Sequence, residues 1–86
     1  MQWTVNVAKP AHRALSRIQG PDHERIQATL VSMQAAPFGG DLKHLTNDPR
    51  AKYRRRVGSW RIFFDADPHE RIIWVKAIER RTSKTY

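Results

Sequence analysis

The most constraining stretch of this chain is Lys52-Tyr53-Arg54-Arg55-Arg56-Val57-Gly58-Ser59-Trp60-Arg61-Ile62-Phe63-Phe64. It reads as two strands joined at Gly58-Ser59, a small polar pair suited to a two-residue hairpin turn. That turn fixes a register: Val57 opposite Trp60, Arg56 opposite Arg61, Arg55 opposite Ile62 and Arg54 opposite Phe63. Side chains alternate faces along a strand, and cross-strand partners share a face. Arg54, Arg56 and Arg61 therefore gather on one side. Tyr53, Val57, Trp60, Ile62 and Phe64 gather on the other, with Arg55 the misfit among them. Like charges across a ladder are destabilising, so three stacked guanidinium groups point to a polyanionic ligand. The plainer alternative is a solvated basic face.

Charge across the chain agrees. Of 86 residues, 16 are Lys or Arg and 8 are Asp or Glu, a formal balance of +8. From Pro49 to Phe64 there is no acid but six bases, Arg50, Lys52, Arg54, Arg55, Arg56 and Arg61. Such an excess favours nucleic acid, an acidic protein or an anionic membrane surface. Cysteine is absent, which removes disulfides and thiolate chemistry. No apolar run approaches the roughly 20 residues of a membrane span, and the N-terminus lacks a signal-peptide layout. A cytoplasmic protein is the default expectation.

The remaining chain supplies a frame for the hairpin. Trp3, Val5 and Val7 alternate with Gln2, Thr4 and Asn6, the period of a half-buried strand. Lys9-Pro10 opens a helix with Ala11, Ala14, Leu15 and Ile18 along one side. Gly20-Pro21-Asp22 breaks it, and Asp22 is a plausible N-cap for a second helix. That helix carries Ile26, Leu30 and Met33, widened by Val31 and Ala35, and stops at Pro37-Phe38-Gly39-Gly40. Asp41 to Pro49 reads as irregular, anchored by Leu42 and Leu45. After the hairpin, Asp65 to Glu70 is a turn cluster. Ile72-Ile73-Trp74-Val75 is a continuous apolar run, as in a central or doubly covered strand. The expectation is one domain over residues 1–86. It is an α+β fold, β-α-α-β-β-β, with an antiparallel-rich sheet and a two-helix hairpin packed on one face.

Other chemistries find little support. His12, His23, His44 and His69 lack zinc-ligand spacing, so no metal or cofactor is expected. No phosphate-binding glycine loop is present, and Ser16, Ser32, Ser59 and Ser83 have no neighbouring base. RNA cleavage, by contrast, can use the substrate's own 2′-hydroxyl as nucleophile. The protein then supplies a base, cations for the developing phosphorane charge and an acid for the leaving oxygen. Arg54, Arg56 and Arg61 fit the second role, since guanidinium grips phosphate bidentately. A last strand beside the hairpin would bring in Arg80 or Arg81, and Tyr86 would add a ring for base stacking. Residue types alone establish a nucleic-acid-binding face, not cleavage.

Tyr53-Arg54-Arg55-Arg56-Val57-Gly58-Ser59-Trp60-Arg61-Ile62 resembles the "Y-R-x-R-x-G-x-[YW]-R-[VIL]" core of the RelE/ParE toxin superfamily. The passage Pro37 to Leu45 is similar to its "P…G…KL" segment, and Arg80 or Arg81 ahead of Tyr86 to its closing "R…Y". The resemblance implies a toxin that cuts messenger RNA in the ribosomal decoding site by the 2′-hydroxyl route, without metal. It implies catalytic roles for Arg54, Arg56, Arg61, Arg80 and Tyr86: strand cations, a phosphate-stabilising Arg61, Arg80 as general acid and Tyr86 as the substrate-orienting residue. Arg50, Lys52, Arg81 and Lys84 are expected to hold RNA. The partners implied are mRNA, the ribosome and an acidic antitoxin, with the toxin monomeric alone and hetero-oligomeric with its antitoxin. A ParE-like inhibitor of DNA gyrase is the alternative within the superfamily. Arginine, with a pKa above ~12, is a poor base. Tyr86, Glu79 and water remain open as the base.

Overall fold

The structure is a computed structural model that describes residues 2–81. Lys84 and Tyr86 lie outside the described residues. Five strands form one sheet in the order β1-β5-β4-β3-β2. In chain order the elements are β1 (Thr4–Val7), α1 (Lys9–Arg17), α2 (Gly20–Ser32), β2 (Leu42–His44), β3 (Tyr53–Val57), β4 (Trp60–Asp67) and β5 (Ile72–Arg80). β1 runs parallel to β5, and the other three pairings are antiparallel.

The hairpin register is the expected one, from Val57 opposite Trp60 through Arg54 opposite Phe63 to Tyr53 opposite Phe64. Gly58 adopts φ +57°, the left-handed geometry such a turn requires. Both helices lie on the apolar side of this ladder. Ala11, Leu15 and Ile18 from the first helical segment meet Ile26, Leu30 and Met33 from the second over Ile62, Phe64, Ile73, Val75 and Ile78. Trp60 donates its indole N–H to Asp22 at 3.1 Å, tying the hairpin to α2.

Several details refine or differ from the sequence reading, among them Asp65 to Asp67, which continue β4 rather than opening the turn. Leu42–His44 is not irregular but a short edge strand beside β3; three residues are too few to show a period of two. Asp22 is not the N-cap: Gln19 holds that position, and Gly20-Pro21 forms the first turn. Val31 and Ala35 do not widen the buried stripe, since both are exposed. Ile72 to Val75 lies inside the sheet, the first of the two alternatives its apolar run offered, and is covered on one side only, leaving Trp74 exposed. Finally, β5 carries an extra residue at Lys76, because Phe64 pairs with Val75 while Phe63 pairs with Ala77. This bulge lets both Val75 and Ile78 reach the core although three residues separate them.

Arg55 lies on the helix-covered side, between Leu42 and Ile62 in the ladder. Its guanidinium runs out beneath Gly40, where any Cβ would overlap it. Gly40 is at φ +72°, a backbone geometry that favours glycine, while a Cβ there would have to push the flexible Arg55 head aside. The stem of Arg55 covers apolar surface while its head reaches the loop edge.

Candidate functional site

The side of the sheet away from the helices carries the basic cluster. Arg56 and Arg61 are a directly opposed pair, and Arg54 follows one ladder step along, beside Phe63. Lys43, opposite Arg54 on β2, adds a fourth cation from a strand the sequence pattern did not reveal. Arg54 is largely shielded, with 12% of its side chain exposed against 35% for Arg56. Burial lowers the affinity of Arg54 for its proton, and the positive charges of Arg56, Arg61 and Arg81 act in the same direction, opposed by Asp41. It remains a cation, because guanidinium starts above ~12. The Nε atoms of both Arg54 and Arg56 are buried without a hydrogen-bond partner among the described residues. Groups of this kind normally find a partner; Arg55 Nη1, on the helix-covered side, shares the condition.

The last strand decides which tail arginine joins. Arg80 pairs with Trp60 and places its guanidinium 5.6 Å from the indole ring centroid, on the helix-covered side. The structure therefore does not bring Arg80 to Arg54, Arg56 and Arg61. Arg81 follows one residue later. Its backbone N–H donates to the Ser59 carbonyl at 2.6 Å, and its charge acts on Arg54. The Lys76 bulge is the cause. An unbroken ladder from the Phe64–Val75 pair would have put Arg80 on the open side; one inserted residue reverses the parity and presents Arg81. The odd spacing of Val75 and Ile78 was the available signal.

Arg50 is on the same side but chemically occupied. It donates to Asp48 from Nε at 3.0 Å and from Nη2 at 2.7 Å, and to Glu79 from Nη1 at 2.7 Å. Its guanidinium carbon lies 3.9 Å from the Phe63 ring centroid. These contacts push the Arg50 pKa further up and hold Asp48 at about 2. With Ala51 buried, the β2–β3 loop forms a lid over Phe63, closed by Arg50. Lys52 follows, exposed, its backbone N–H on Asp65 at 2.8 Å. Arg50 thus covers Phe63 while bound to Asp48 and Glu79.

Two acids border the cluster: Glu79, opposite Arg61 in the ladder and held by Arg50, and Asp41. Asp41 faces Arg54 Nη2 with one carboxylate oxygen and Arg56 Nε with the other, each at 3.7 Å. Both distances exceed hydrogen-bond length. Its backbone is pinned, with the Arg56 N–H donating to the Asp41 carbonyl at 2.9 Å. Sequence reading missed it because it stood in a segment taken as loop. Among the described residues no three His, Cys, Asp or Glu side chains group as metal ligands. His23 instead places Nδ1 at 3.1 Å and 3.0 Å from the carbonyls of Leu15 and Ile18, at the end of α1. No helix among them is long and apolar enough to cross a membrane.

A helical hairpin backing one face of a five-stranded sheet is a small α+β arrangement shared with several solved structures. The chain superposes with TM-score 0.83 on a RelE–RelB complex from Pyrococcus horikoshii at 18% identity, covering 98% of this chain and 100% of that one. For a RelBE2 toxin–antitoxin complex from Mycobacterium tuberculosis the TM-score is 0.72 at 20% identity, covering 94% and 100%. For a mutant Escherichia coli RelE in the free state it is 0.72 at 15% identity, covering 93% and 84%. No protein-family model matches the sequence, and no curated protein does either. The chain has the RelE-like toxin fold.

Proposed function

We propose that this protein is the toxin of a toxin–antitoxin pair and that it cuts messenger RNA, in the ribosomal decoding site, by attack of the substrate's 2′-hydroxyl on the adjoining phosphate. The observation that carries the reading is the open sheet face on which Arg54, Arg56, Arg61 and Arg81 converge, two of them with buried, unpartnered Nε atoms. A pentavalent phosphorane gathers charge on its equatorial oxygens, and fixed cations lower its energy without reorganising. Arg56 and Arg61 flank the place for that phosphate, Arg54 backs them, and Arg81 at the hairpin end steadies the departing 5′-oxygen. Together they supply the charge stabilisation that a metal ion gives in other nucleases. Tyr86 enters as substrate-orienting residue on the sequence resemblance alone.

Two of the similar solved structures are toxin–antitoxin complexes. An acidic antitoxin segment laid over a chain of net charge +8 is the matching partner here, recognised by charge. Primer extension on messenger RNA from translating extracts tests the reading. Added protein produces cuts phased with codons, and Arg61→Ala abolishes them. Intact messenger RNA together with stabilised gyrase–DNA cleavage complexes would establish the ParE-like alternative instead.

A further inference from the structure

Four arginines leave the proton-abstracting group unassigned, and the carboxylates of the molecule can be sorted by what already holds them. Asp48 and Glu79 are engaged by Arg50 at 2.7 Å each. Asp65 accepts the Lys52 N–H, Asp67 accepts those of His69 and Glu70 in a turn, and Asp22 accepts the Trp60 indole. Asp41 accepts no side-chain hydrogen bond from the described residues, is 54% exposed, and stands 3.7 Å from both Arg54 and Arg56. Its backbone is fixed to β3 by the Arg56 N–H. Among the described residues, free lone pairs, access to solvent, a rigid mount and contact with Arg54 and Arg56 coincide at Asp41 alone.

Resting on the nuclease reading above, we propose that Asp41 is the general base of the reaction. Its carboxylate takes the proton from the 2′-hydroxyl as the 2′-oxygen bonds to phosphorus. The bond from phosphorus to the 5′-oxygen breaks, the departing oxygen takes a proton from water, and Asp41 returns its own to the hydroxide so formed. The products are a 2′,3′-cyclic phosphate and a 5′-hydroxyl end, with no water consumed. Arg54 and Arg56 hold the carboxylate at the edge of the phosphate site. The distances above hydrogen-bond length leave its lone pairs available for the sugar.

Asp41→Asn separates this role from a purely electrostatic one. The amide keeps the shape, cannot take the proton, and removes a negative charge beside RNA. The expected result on programmed ribosomes is cleavage slowed by about 100-fold or more, with RNA affinity unchanged or higher. The wild-type rate rises with pH along an acid limb that Asp41→Asn lacks and Asp41→Glu retains. Cleavage by Asp41→Asn within threefold of the wild type, or survival of the acid limb, overturns the assignment while leaving the nuclease reading intact. Absence of cleavage by the wild type overturns both.

Discussion

Arg50 and Arg54 sit on the same side of one sheet, close along the chain, and do opposite things. Arg50 has three side-chain hydrogen bonds to two carboxylates and an aromatic ring beneath it. Arg54 is more deeply shielded yet keeps an unpartnered Nε and is crowded by other cations. An arginine whose charge is answered locally stabilises the fold. One crowded by like charges, with a single carboxylate beyond hydrogen-bond length, keeps capacity for a bound anion. The count of basic residues in the segment says nothing about this difference; the placement of Asp48, Glu79 and Asp41 decides it.

The comparison can be broken in several ways. The largest expected effect is on the unpaired side. Arg61→Ala or Arg56→Ala lowers the rate of RNA cleavage by about 100-fold or more, as for loss of one transition-state donor, while the melting temperature holds or rises because like-charge repulsion is relieved. Next comes Gly40→Ala, which forces a left-handed backbone and displaces the Arg55 guanidinium. It costs about 2 kcal/mol of stability, read by urea denaturation. On the paired side, Arg50→Ala uncovers Phe63 and costs about 1 kcal/mol, with RNA affinity less affected than by Arg54→Ala. The smallest effect follows from Asp48. Its carboxyl is held at about 2 against an ordinary 3.8, so the clip contributes stability above about pH 4 that disappears as the pH falls toward 2. Asp48→Asn removes that dependence, measured as denaturation midpoint against pH.

The sequence was most legible where few residues settle the geometry. Gly58-Ser59 sets the turn, the turn sets the register, and the split of Arg54, Arg56 and Arg61 from Trp60, Ile62 and Phe64 follows. The helical hairpin was legible through Leu15, Ile18, Ile26, Leu30 and Met33, all buried. Legibility failed where a long-range pairing intervenes. Leu42–His44 becomes a strand only because β3 offers it an edge, and that pairing brings Lys43 and Asp41 to the cluster. The choice between Arg80 and Arg81 depends on one inserted residue at Lys76, which shifts parity without altering local propensity. The local engagement of Arg50 was not legible because Glu79, one of its two partners, is 29 residues away.

That parity gives the most direct measurement. Arg80 and Arg81 are adjacent, equally charged and both exposed, and the account places only Arg81 with the phosphate-binding cations. Initial rates of messenger RNA cleavage on programmed ribosomes, compared for Arg80→Ala and Arg81→Ala, isolate the claim. The predicted result is a rate near wild type for Arg80→Ala and a loss of about 100-fold for Arg81→Ala. A silent Arg81→Ala beside an inactive Arg80→Ala would contradict it.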